Sequence, residues 1–186
     1  MKNKLKLILL ACISATCFPG YSQQHLMRFF EAHADFPWNA SVNYNGSITN
    51  VSEWGIGGSI NAGKEFVTGV VEVNYRKINL GPLNIPDVKE ITCTEFFFGL
   101  RYFPMKPTFF IGPVAFRVTA GALGGFDMEP NWRFLLFAGF AASPARTVSG
   151  LTVDFVYRPE AYPVKGYLIE PNYAVRAGIF IGPSAE

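Results

Sequence analysis

The sequence is short of cysteine. Only three of its 186 residues are cysteines, and two of these lie in the first 22 residues. That segment has the form of a secretory signal peptide, because three lysines precede an apolar stretch that is followed by a proline and small residues. We expect cleavage between Ser22 and Gln23. Cys93 would then be the sole cysteine of the exported chain, which excludes a scaffold held by internal disulfides.

Lipoprotein processing is a rival interpretation of the same leader. The lipidated residue would be Cys12, after the letters LLA, or Cys17, after the letters SAT. Processing at Cys12 would leave a very short leader, and the residue before the alanine there is a poor match. The signal peptide of residues 1–22 is therefore the preferred interpretation.

Long hydrophobic runs are also missing. After residue 22, no window contains the roughly 18 unbroken apolar residues that a spanning helix requires. The apolar stretch of the leader, Leu7 to about Phe18, is shorter than the roughly 20 residues of a helical span. These absences exclude a helical membrane protein.

Neither sign of charge dominates. The whole chain has 16 basic and 14 acidic residues, but Lys2, Lys4 and Lys6 belong to the leader. Without them, 13 basic residues face 14 acidic ones. A nucleic-acid-binding protein would show a clustered basic excess, so we expect no nucleic acid as a partner.

Histidine is scarce, which limits the chemistry available. His25 and His33 are the only two histidines, and both precede the first predicted strand. Lipid-modifying barrel enzymes need a nucleophile activated by a general base, usually histidine. We therefore expect no enzyme, and no catalytic, cofactor or metal site. A metal site formed by the histidines with Glu31 and Asp35 is the weaker alternative to a solvated helix face.

What the sequence does contain is alternation. In Glu53–Gly63, the apolar residues Trp54, Ile56 and Ile60 alternate with glycine, serine and asparagine. This period of two is typical of a strand with unlike faces. Seven more stretches alternate in the same way: 38–45, 67–76, 94–103, 114–123, 132–141, 151–158 and 172–181.

The strands predict an all-β fold. Most of them are about 8 to 13 residues long. This is the length of strands that span a bilayer, whereas strands of soluble proteins usually have about 5–6 residues. Eight is an even number, as bacterial outer-membrane barrels require. We therefore predict an eight-stranded antiparallel up-and-down transmembrane β-barrel over residues 38–182. Residues 23–37 are expected to form a short periplasmic lead-in, with a helix as one form of it, and residues 183–186 a C-terminal tail.

The charged residues indicate which face is enclosed. All five lysines after the leader lie in predicted turns, loops or strand edges, whereas a water-facing strand surface would be rich in lysine. Slipping the strands by one residue would expose arginines to lipid at about 2–4 kcal/mol each near the midplane. Nine charged residues share the polar face and are predicted to form a lumenal network: Glu72, Arg76, Glu95, Arg101, Arg117, Arg133, Asp154, Arg158 and Arg176.

Aromatic residues mark one end of the apolar face. When the strands are folded antiparallel, their outer ends carry mostly tyrosine and tryptophan, which prefer the membrane interface. A soluble core gives no reason for a ring at one height. The predicted outer aromatic girdle consists of Tyr44, Trp54, Tyr75, Phe96, Trp132, Tyr157 and Tyr173.

With these features, the chain resembles the small eight-stranded outer-membrane barrels of the OmpA/OmpX-like type, particularly those of Gram-negative Bacteroidota. The resemblance covers roughly residues 38–182 and rests on the strand pattern, the signal peptide and the strand-turn-strand style of GLRYFPMKP…AFRVTAG. It implies an outer-membrane location, contact with the barrel assembly machinery and a monomeric state. Such barrels commonly end on an aromatic residue, whereas here the last strand ends near Ile181 and GPSAE follows.

The leading hypothesis for function is an integral outer-membrane barrel with a structural or surface-interaction role. An eight-stranded lumen is filled by side chains, so we expect no open pore. Arg76, Arg133 and Arg158 would either attract anions such as lipopolysaccharide phosphates or simply pack the lumen with carboxylates. The alternatives are a soluble periplasmic or secreted barrel that binds an apolar ligand, and a lipid-modifying outer-membrane enzyme.

Overall fold

The computed structural model describes residues 26–64, 66–85, 88–104, 106–127, 131–145, 147 and 149–182. Within these ranges, the short element Gly81–Leu83 is a 3₁₀ turn, and no helix is long and apolar enough to cross a membrane. The predicted signal peptide and C-terminal tail lie outside the described residues. The strands are β1 (Leu26–Pro37), β2 (Ser41–Tyr44), β3 (Ser47–Asn50), β4 (Ser52–Lys64), β5 (Val67–Asn79), β6 (Glu90–Tyr102), β7 (Phe109–Ile111), β8 (Val114–Asp127), β9 (Trp132–Pro144), β10 (Gly150–Arg158), β11 (Tyr162–Val164), β12 (Tyr167–Ile169) and β13 (Asn172–Ile181).

Eight long strands of the described chain close into an antiparallel barrel. Around the wall their order is β1, β4, β5, β6, β8, β9, β10 and β13. The pairing of β6 with β8 and that of β1 with β13 complete the ring. The predicted fold class, an all-β eight-stranded antiparallel barrel, is therefore confirmed.

The strands are staggered around the barrel. Following directly paired residues once around the wall from Leu26 leads back to β1 at Phe36, ten residues further along. A closed barrel needs such a stagger because its strands tilt against the axis. The pairs on this path are Leu26–Lys64, Lys64–Val67, Val67–Tyr102, Tyr102–Ala120, Ala120–Ala138, Ala138–Phe155, Phe155–Val175 and Val175–Phe36.

The first barrel strand is not the one predicted. Residues 26–37, expected to be a periplasmic lead-in, form β1 and pair with β4 on one side and β13 on the other. The alternation is present, but it is weak because small residues, Ala32 and Ala34, point outward, while Phe29 points inward and is buried. The helical alternative for this segment is wrong, and so is the barrel boundary at residue 38.

Residues 38–45, predicted to be the first barrel strand, do not form a strand of the wall. Ser41–Tyr44 forms β2, which pairs with β3 through a tight turn at Asn45 and Gly46, both with positive φ. β2 also pairs with β12, and β12 with β11. We call this four-stranded unit, β11-β12-β2-β3, the cap sheet.

The cap sheet covers one end of the barrel, here called the upper end. Its strands come from the link between β1 and β4 and the link between β10 and β13. One face of the cap sheet packs on Ile78, Leu80 and Ile91. These residues lie at the upper end of the β5–β6 hairpin. The buried cap residues in this cluster are Val42, Tyr162, Val164, Tyr167 and Ile169.

The lower end has shorter connections. β4 and β5 are joined through residues 65–66, and β9 and β10 through residues 145–149. The link from β6 to β8 is longer and contains β7, which pairs with the lower part of β8. Phe103, at the start of this link, turns into the barrel and packs on Phe29 and Phe180.

The wall separates two kinds of side chain. In β5, every second residue from Val67 to Tyr75 is exposed, and every second residue from Thr68 to Arg76 is buried. The exposed series is apolar apart from one glycine, and the buried series includes a glutamate and an arginine. The barrel thus has its apolar face outside and its ionic face inside.

Candidate functional site

The aromatic girdle lies near the upper end of the outer wall. Trp54 packs against Tyr75 on the neighbouring strand, with ring centroids 6.1 Å apart. Tyr157 and Tyr173 stack at 4.7 Å. Phe96 stacks on Phe126, which in turn contacts Trp132 edge to face. Six of the seven predicted residues therefore lie on the outer wall in small clusters near the upper end.

Tyr44, the seventh predicted girdle residue, is not on the barrel wall. It lies in the cap sheet, where its ring packs against Tyr167 at 5.4 Å and against the cap core. Its predicted place in the girdle is wrong because β2 is not a barrel strand. Trp38 takes this position instead, since it is exposed, stacks on Tyr173 and contacts Phe155.

A polar strip begins above the girdle. Lys77 lies on the same outward face as Tyr75 and pairs with Glu90 at 2.6 Å. Lys77 is opposite Thr92 across the β5–β6 pair, and Tyr75 is opposite Thr94. The ten-residue rise from Val67 to Lys77 corresponds to about 25 Å of height for a strand tilted by about 40°. This height matches the apolar band of an outer-membrane barrel.

The lumen holds an upper ionic group. Arg76 donates from Nε to Glu53 at 2.6 Å and from Nη1 to Glu95 at 2.8 Å. Arg133 bonds the same Glu95 oxygen and also Asp127. Glu95 therefore accepts from two guanidiniums at once, and the five side chains form a continuous chain across the upper lumen.

A second group lies at mid-height. Arg176 forms forked contacts with both Asp35 and Glu72, at 2.7 to 3.2 Å. Arg158 donates to Asp35 Oδ2 at 2.6 Å, the oxygen that Arg176 Nη2 also contacts. Asn74 donates to Glu72 at 2.7 Å. Charge-assisted forks of this kind are among the stronger hydrogen bonds in proteins.

A third group lies lower in the lumen. Arg101 bridges Glu31 and Asp154. Each of these carboxylates also accepts from a threonine hydroxyl, Glu31 from Thr152 at 2.8 Å and Asp154 from Thr119 at 2.6 Å. Below this group, Arg117 donates to Ser143 at 2.7 Å. All nine predicted network residues thus face the lumen and are buried.

The lumen holds more carboxylates than the sequence pattern indicated. Counting the described buried residues, six arginines face seven carboxylates, because Glu31, Asp35, Glu53 and Asp127 join the three predicted ones. The nine residues predicted from the sequence, six arginines and three carboxylates, would give the lumen an excess of three positive charges, and this prediction is wrong. Its physical reason is that β1, read as a lead-in, supplies two carboxylates, and the upper ends of β4 and β8 supply two more.

The predicted attraction of anions by Arg76, Arg133 and Arg158 is also wrong, because lumenal carboxylates already pair with these arginines. Each of the three arginines is bonded to a carboxylate: Arg76 to Glu53 and Glu95, Arg133 to Glu95 and Asp127, and Arg158 to Asp35. All three guanidiniums are buried, and each is paired with at least one carboxylate. The other interpretation, packing of the lumen against carboxylates, describes their geometry.

Tyr162 joins the cap sheet to the upper ionic group. Its hydroxyl accepts a hydrogen bond from Arg76, and the guanidinium carbon of Arg133 lies 3.6 Å from the centre of its ring. Tyr162 is buried, although it belongs to the link between β10 and β13. The alternation pattern gave no signal for this contact, because Tyr162 follows the predicted end of its strand.

His33 lies inside the barrel, not upstream of it. Its Nε2 is 2.8 Å from Asn74 Oδ1 and 3.8 Å from Glu72. The hydroxyl of Ser59, also in the lumen, accepts from Asn61 at 2.8 Å. The premise that no histidine lies on the barrel wall is therefore wrong, but the contacts of His33 belong to the ionic network. Among the described residues, no group of three or more His, Cys, Asp or Glu side chains is arranged to hold a metal ion.

Side chains fill the lumen between its ends. Along one wall, Phe97, Leu135 and Phe137 belong to a buried apolar cluster, and the guanidinium carbon of Arg101 lies 5.1 Å from the Phe137 ring centre. At the lower end, Phe29, Phe103 and Phe180 pack together with centroid distances of 4.6 to 5.9 Å. The cap sheet covers the upper end.

Comparison with known proteins adds little. No family model and no curated protein matches the chain. Among solved structures, the chain is similar to the translocator domain of autotransporter NalP from Neisseria meningitidis, with 10% sequence identity and a TM-score of 0.32, over 97% of this chain and 95% of that chain. A similarity at this TM-score supports no conclusion about the fold or the function of this chain. The fold and the site rest on the strand pairing and side-chain contacts described above.

Proposed function

We propose that the chain is an integral β-barrel protein of the bacterial outer membrane, exported by its signal peptide, with a structural or surface-interaction role. The observation that carries the proposal is the inverted distribution of polarity. Trp132 and Phe155 are 64% and 60% exposed on the outer wall, whereas Arg76 and Glu95 in the lumen are fully buried. A barrel surrounded by water would bury its apolar side chains, whereas a barrel surrounded by lipid exposes them and encloses its charges.

The extent of the outer apolar surface supports the same conclusion. Monomeric soluble proteins rarely expose contiguous apolar patches larger than a few hundred Å². Here, exposed large apolar side chains occur on all eight barrel strands, including Phe30, Ile56, Val71, Leu100 and Ile179. A surface that is apolar all the way round fits a lipid environment rather than a single docking site.

The soluble alternative requires the opposite arrangement. A barrel that binds an apolar ligand would direct Trp132, Phe155 and Val175 inward and its charges outward. The structure places these three side chains on the outer wall and fills the interior with guanidinium and carboxylate groups. This alternative therefore loses its basis.

We propose that the barrel does not conduct ions. The support is the filled lumen, which contains three ionic groups, a phenylalanine cluster at the lower end and the cap sheet at the upper end. A non-conducting barrel leaves a structural role in the membrane or contact through its upper surface. The upper links and the cap sheet are the parts that would meet partners outside the cell.

We also propose a non-enzymatic role. His33 is the histidine that the structure places in the lumen, and its contacts with Asn74 and Glu72 are those of a member of the ionic network. A catalytic serine would need that nitrogen as its base. The hydroxyl of Ser59 accepts from Asn61 instead, which gives no support for a lipid-modifying enzyme.

The proposed partners follow from the location. The outer wall would contact membrane lipid, with lipopolysaccharide in the outer leaflet meeting the polar strip around Lys77 and Glu90. The barrel assembly machinery would be a partner during biogenesis, and the folded protein would be a monomer without nucleic acid. We also propose that the chain is related to the OmpA-like barrels of Bacteroidota. The support for this relationship is the strand pattern alone.

A pair of arginine substitutions tests membrane insertion. Val153 and Ile48 are both exposed apolar residues, but Val153 lies mid-wall and Ile48 lies on the cap sheet. Val153→Arg should cost about 2–4 kcal/mol of folding free energy in lipid vesicles, because an arginine side chain would meet the bilayer. Ile48→Arg should change it by about 0.5 kcal/mol or less.

The readouts are urea titration in vesicles and heat-modifiable gel migration, with outer-membrane fractionation of the unmodified protein. Equal tolerance of the two substitutions, together with recovery in the soluble fraction, would overturn the proposal. Planar-bilayer recordings test conduction separately. Stepwise currents from the wild type would show that the lumen is open.

A further inference from the structure

The cap sheet is attached at one side of the barrel mouth and packs against another side. Its strands rise from the links that join β1 to β4 and β10 to β13, which are neighbouring strands in the wall. Its apolar face rests on Ile78, Leu80 and Ile91 of the β5–β6 hairpin on another part of the wall. The unit is therefore attached through one part of the rim and packed against another.

The two contributing links are joined to each other by backbone bonds. β12 pairs with β2, with Leu168 opposite Asn43 and Ile169 opposite Val42. The Glu170 amide also donates to the Ser41 carbonyl at 3.0 Å. The two links are therefore parts of one hydrogen-bonded sheet rather than two independent loops.

A single side chain passes from the cap sheet into the ionic lumen. Tyr162 accepts a hydrogen bond from Arg76 and places its ring under the guanidinium of Arg133. The other buried cap residues, Val42, Val164, Tyr167 and Ile169, belong to the apolar cluster that the cap forms with the β5–β6 hairpin. A hydrogen bond to a charged group and a cation–π contact, both away from water, are strong relative to ordinary surface contacts.

We propose that the cap sheet is a lid over the charged lumen and that Tyr162 is the latch that holds it shut. The lid separates Arg76, Glu95 and Arg133 from the solution above the barrel. When the latch is released, the sheet lifts from Ile78, Leu80 and Ile91, and the upper ionic group becomes accessible. This inference does not rest on membrane insertion, because the latch and the lid would exist in detergent as well.

The chain contains its own reporter of lid position. Cys93 is partly buried against the cap core, lies between Ile91 and Glu95 on the lumenal face of β6, and is opposite Arg76. Its thiol would therefore be shielded while the lid is closed and exposed when it lifts. Alkylation of Cys93 by a water-soluble maleimide, followed by mass spectrometry of the peptide that contains it, measures this shielding.

The test compares latch variants in the folded full-length protein in detergent micelles. Tyr162→Ala should raise the alkylation rate of Cys93 by about tenfold or more, because both latch contacts are lost. Tyr162→Phe should give a smaller increase, since it keeps the ring over which Arg133 lies. Leu168→Ala, on the outward face of the same sheet, is the matched control and should leave the rate unchanged.

Heat-modifiable migration shows which variants are folded, and Tyr162→Phe carries the test if Tyr162→Ala does not fold. Wild-type alkylation rates in the folded latch variants would overturn the proposal. So would a wild-type rate as fast as that of the urea-unfolded chain, because Cys93 would then not be shielded. Failure of membrane insertion would be seen in the arginine test and would leave these rates unaffected.

Discussion

Asp35 and Arg176 face each other across the junction of the first and last barrel strands. They are direct partners in the register of β1 and β13, and Arg176 Nε donates to Asp35 Oδ1 at 2.7 Å. Arg158 on the next strand bonds the other Asp35 oxygen. One carboxylate thus ties together three neighbouring strands at the place where the barrel closes.

Removing that carboxylate charge should be costly. Asp35→Asn would leave Arg158 without its carboxylate partner and Arg176 with Glu72 alone, and all of these side chains are buried. We expect a loss of about 3–5 kcal/mol in the free energy of unfolding, measured by urea titration in micelles or vesicles. The exposed Lys77–Glu90 pair provides the control, since Lys77→Gln should cost at most about 1 kcal/mol. Similar losses for the two variants would contradict the structural role assigned to Asp35.

Substitution of alanine should destabilise the barrel at one of two adjacent glycines and have little effect at the other. A Cβ on Gly57 would lie 1.9 Å from Asn74 Oδ1 and 2.5 Å from His33 Nε2, whereas the nearest atom to a Cβ on Gly58 would be 3.4 Å away. Gly57→Ala should therefore destabilise the barrel by about 1–3 kcal/mol through overpacking. Gly58→Ala, on the outer face, should change stability by about 0.5 kcal/mol or less. Urea midpoints decide the matter, and tolerance of Gly57→Ala would mean that the lumen is not packed as described.

The phenylalanine cluster at the lower end should behave as a core. Phe103 is fully buried against Phe29 and Phe180. Phe103→Ala should cost about 3–5 kcal/mol, as expected for a large aromatic in a packed interior. Phe110, from the same link but 58% exposed, is the control, and its replacement by alanine should cost about 0.5 kcal/mol or less. Equal unfolding midpoints for the two variants would argue against a closed lower end.

Tryptophan fluorescence should show that the three tryptophans lie at a similar depth in the bilayer. The three tryptophans, Trp38, Trp54 and Trp132, all lie near the upper end of the outer wall and are exposed there. In vesicles of brominated phospholipids, bromines near the headgroups should quench their emission more strongly than bromines near the chain ends, because tryptophan prefers the interface. Stronger quenching by the deep bromines, or no quenching by either lipid, would place the girdle elsewhere.

Much of the barrel wall could be predicted from alternation alone. The signal is clear where large apolar residues alternate with small or charged ones, as with Trp54 and Gly55 or Tyr75 and Arg76. The alternation failed to reveal β1 for two reasons. The outward residues Ala32 and Ala34 are too small to stand out as an apolar face, and Phe29, a large apolar residue, points inward. The spacing of Glu31, His33 and Asp35 at every second residue was the signal that could have found this strand.

Alternation also cannot tell a barrel strand from any other half-buried strand. Residues 38–45 alternate because Val42 faces the cap core, not because they cross a membrane. The short length of β2 and the Asn45–Gly46 turn are the features that distinguish it. Contacts such as Arg76 with Tyr162, which are 86 residues apart, depend on the closed fold and leave no trace in local sequence.

The junction between β1 and β13 has a consequence for biogenesis. Asp35 and Arg176 are 141 positions apart, so the amino-terminal strand has no partner on one side until the carboxyl-terminal strand has been made and delivered. Until then the chain presents an unsatisfied backbone edge that invites aggregation. Contacts so distant along the chain also form slowly. The exposed edge of β1 is therefore the part of the incomplete barrel most open to wrong pairing until β13 docks.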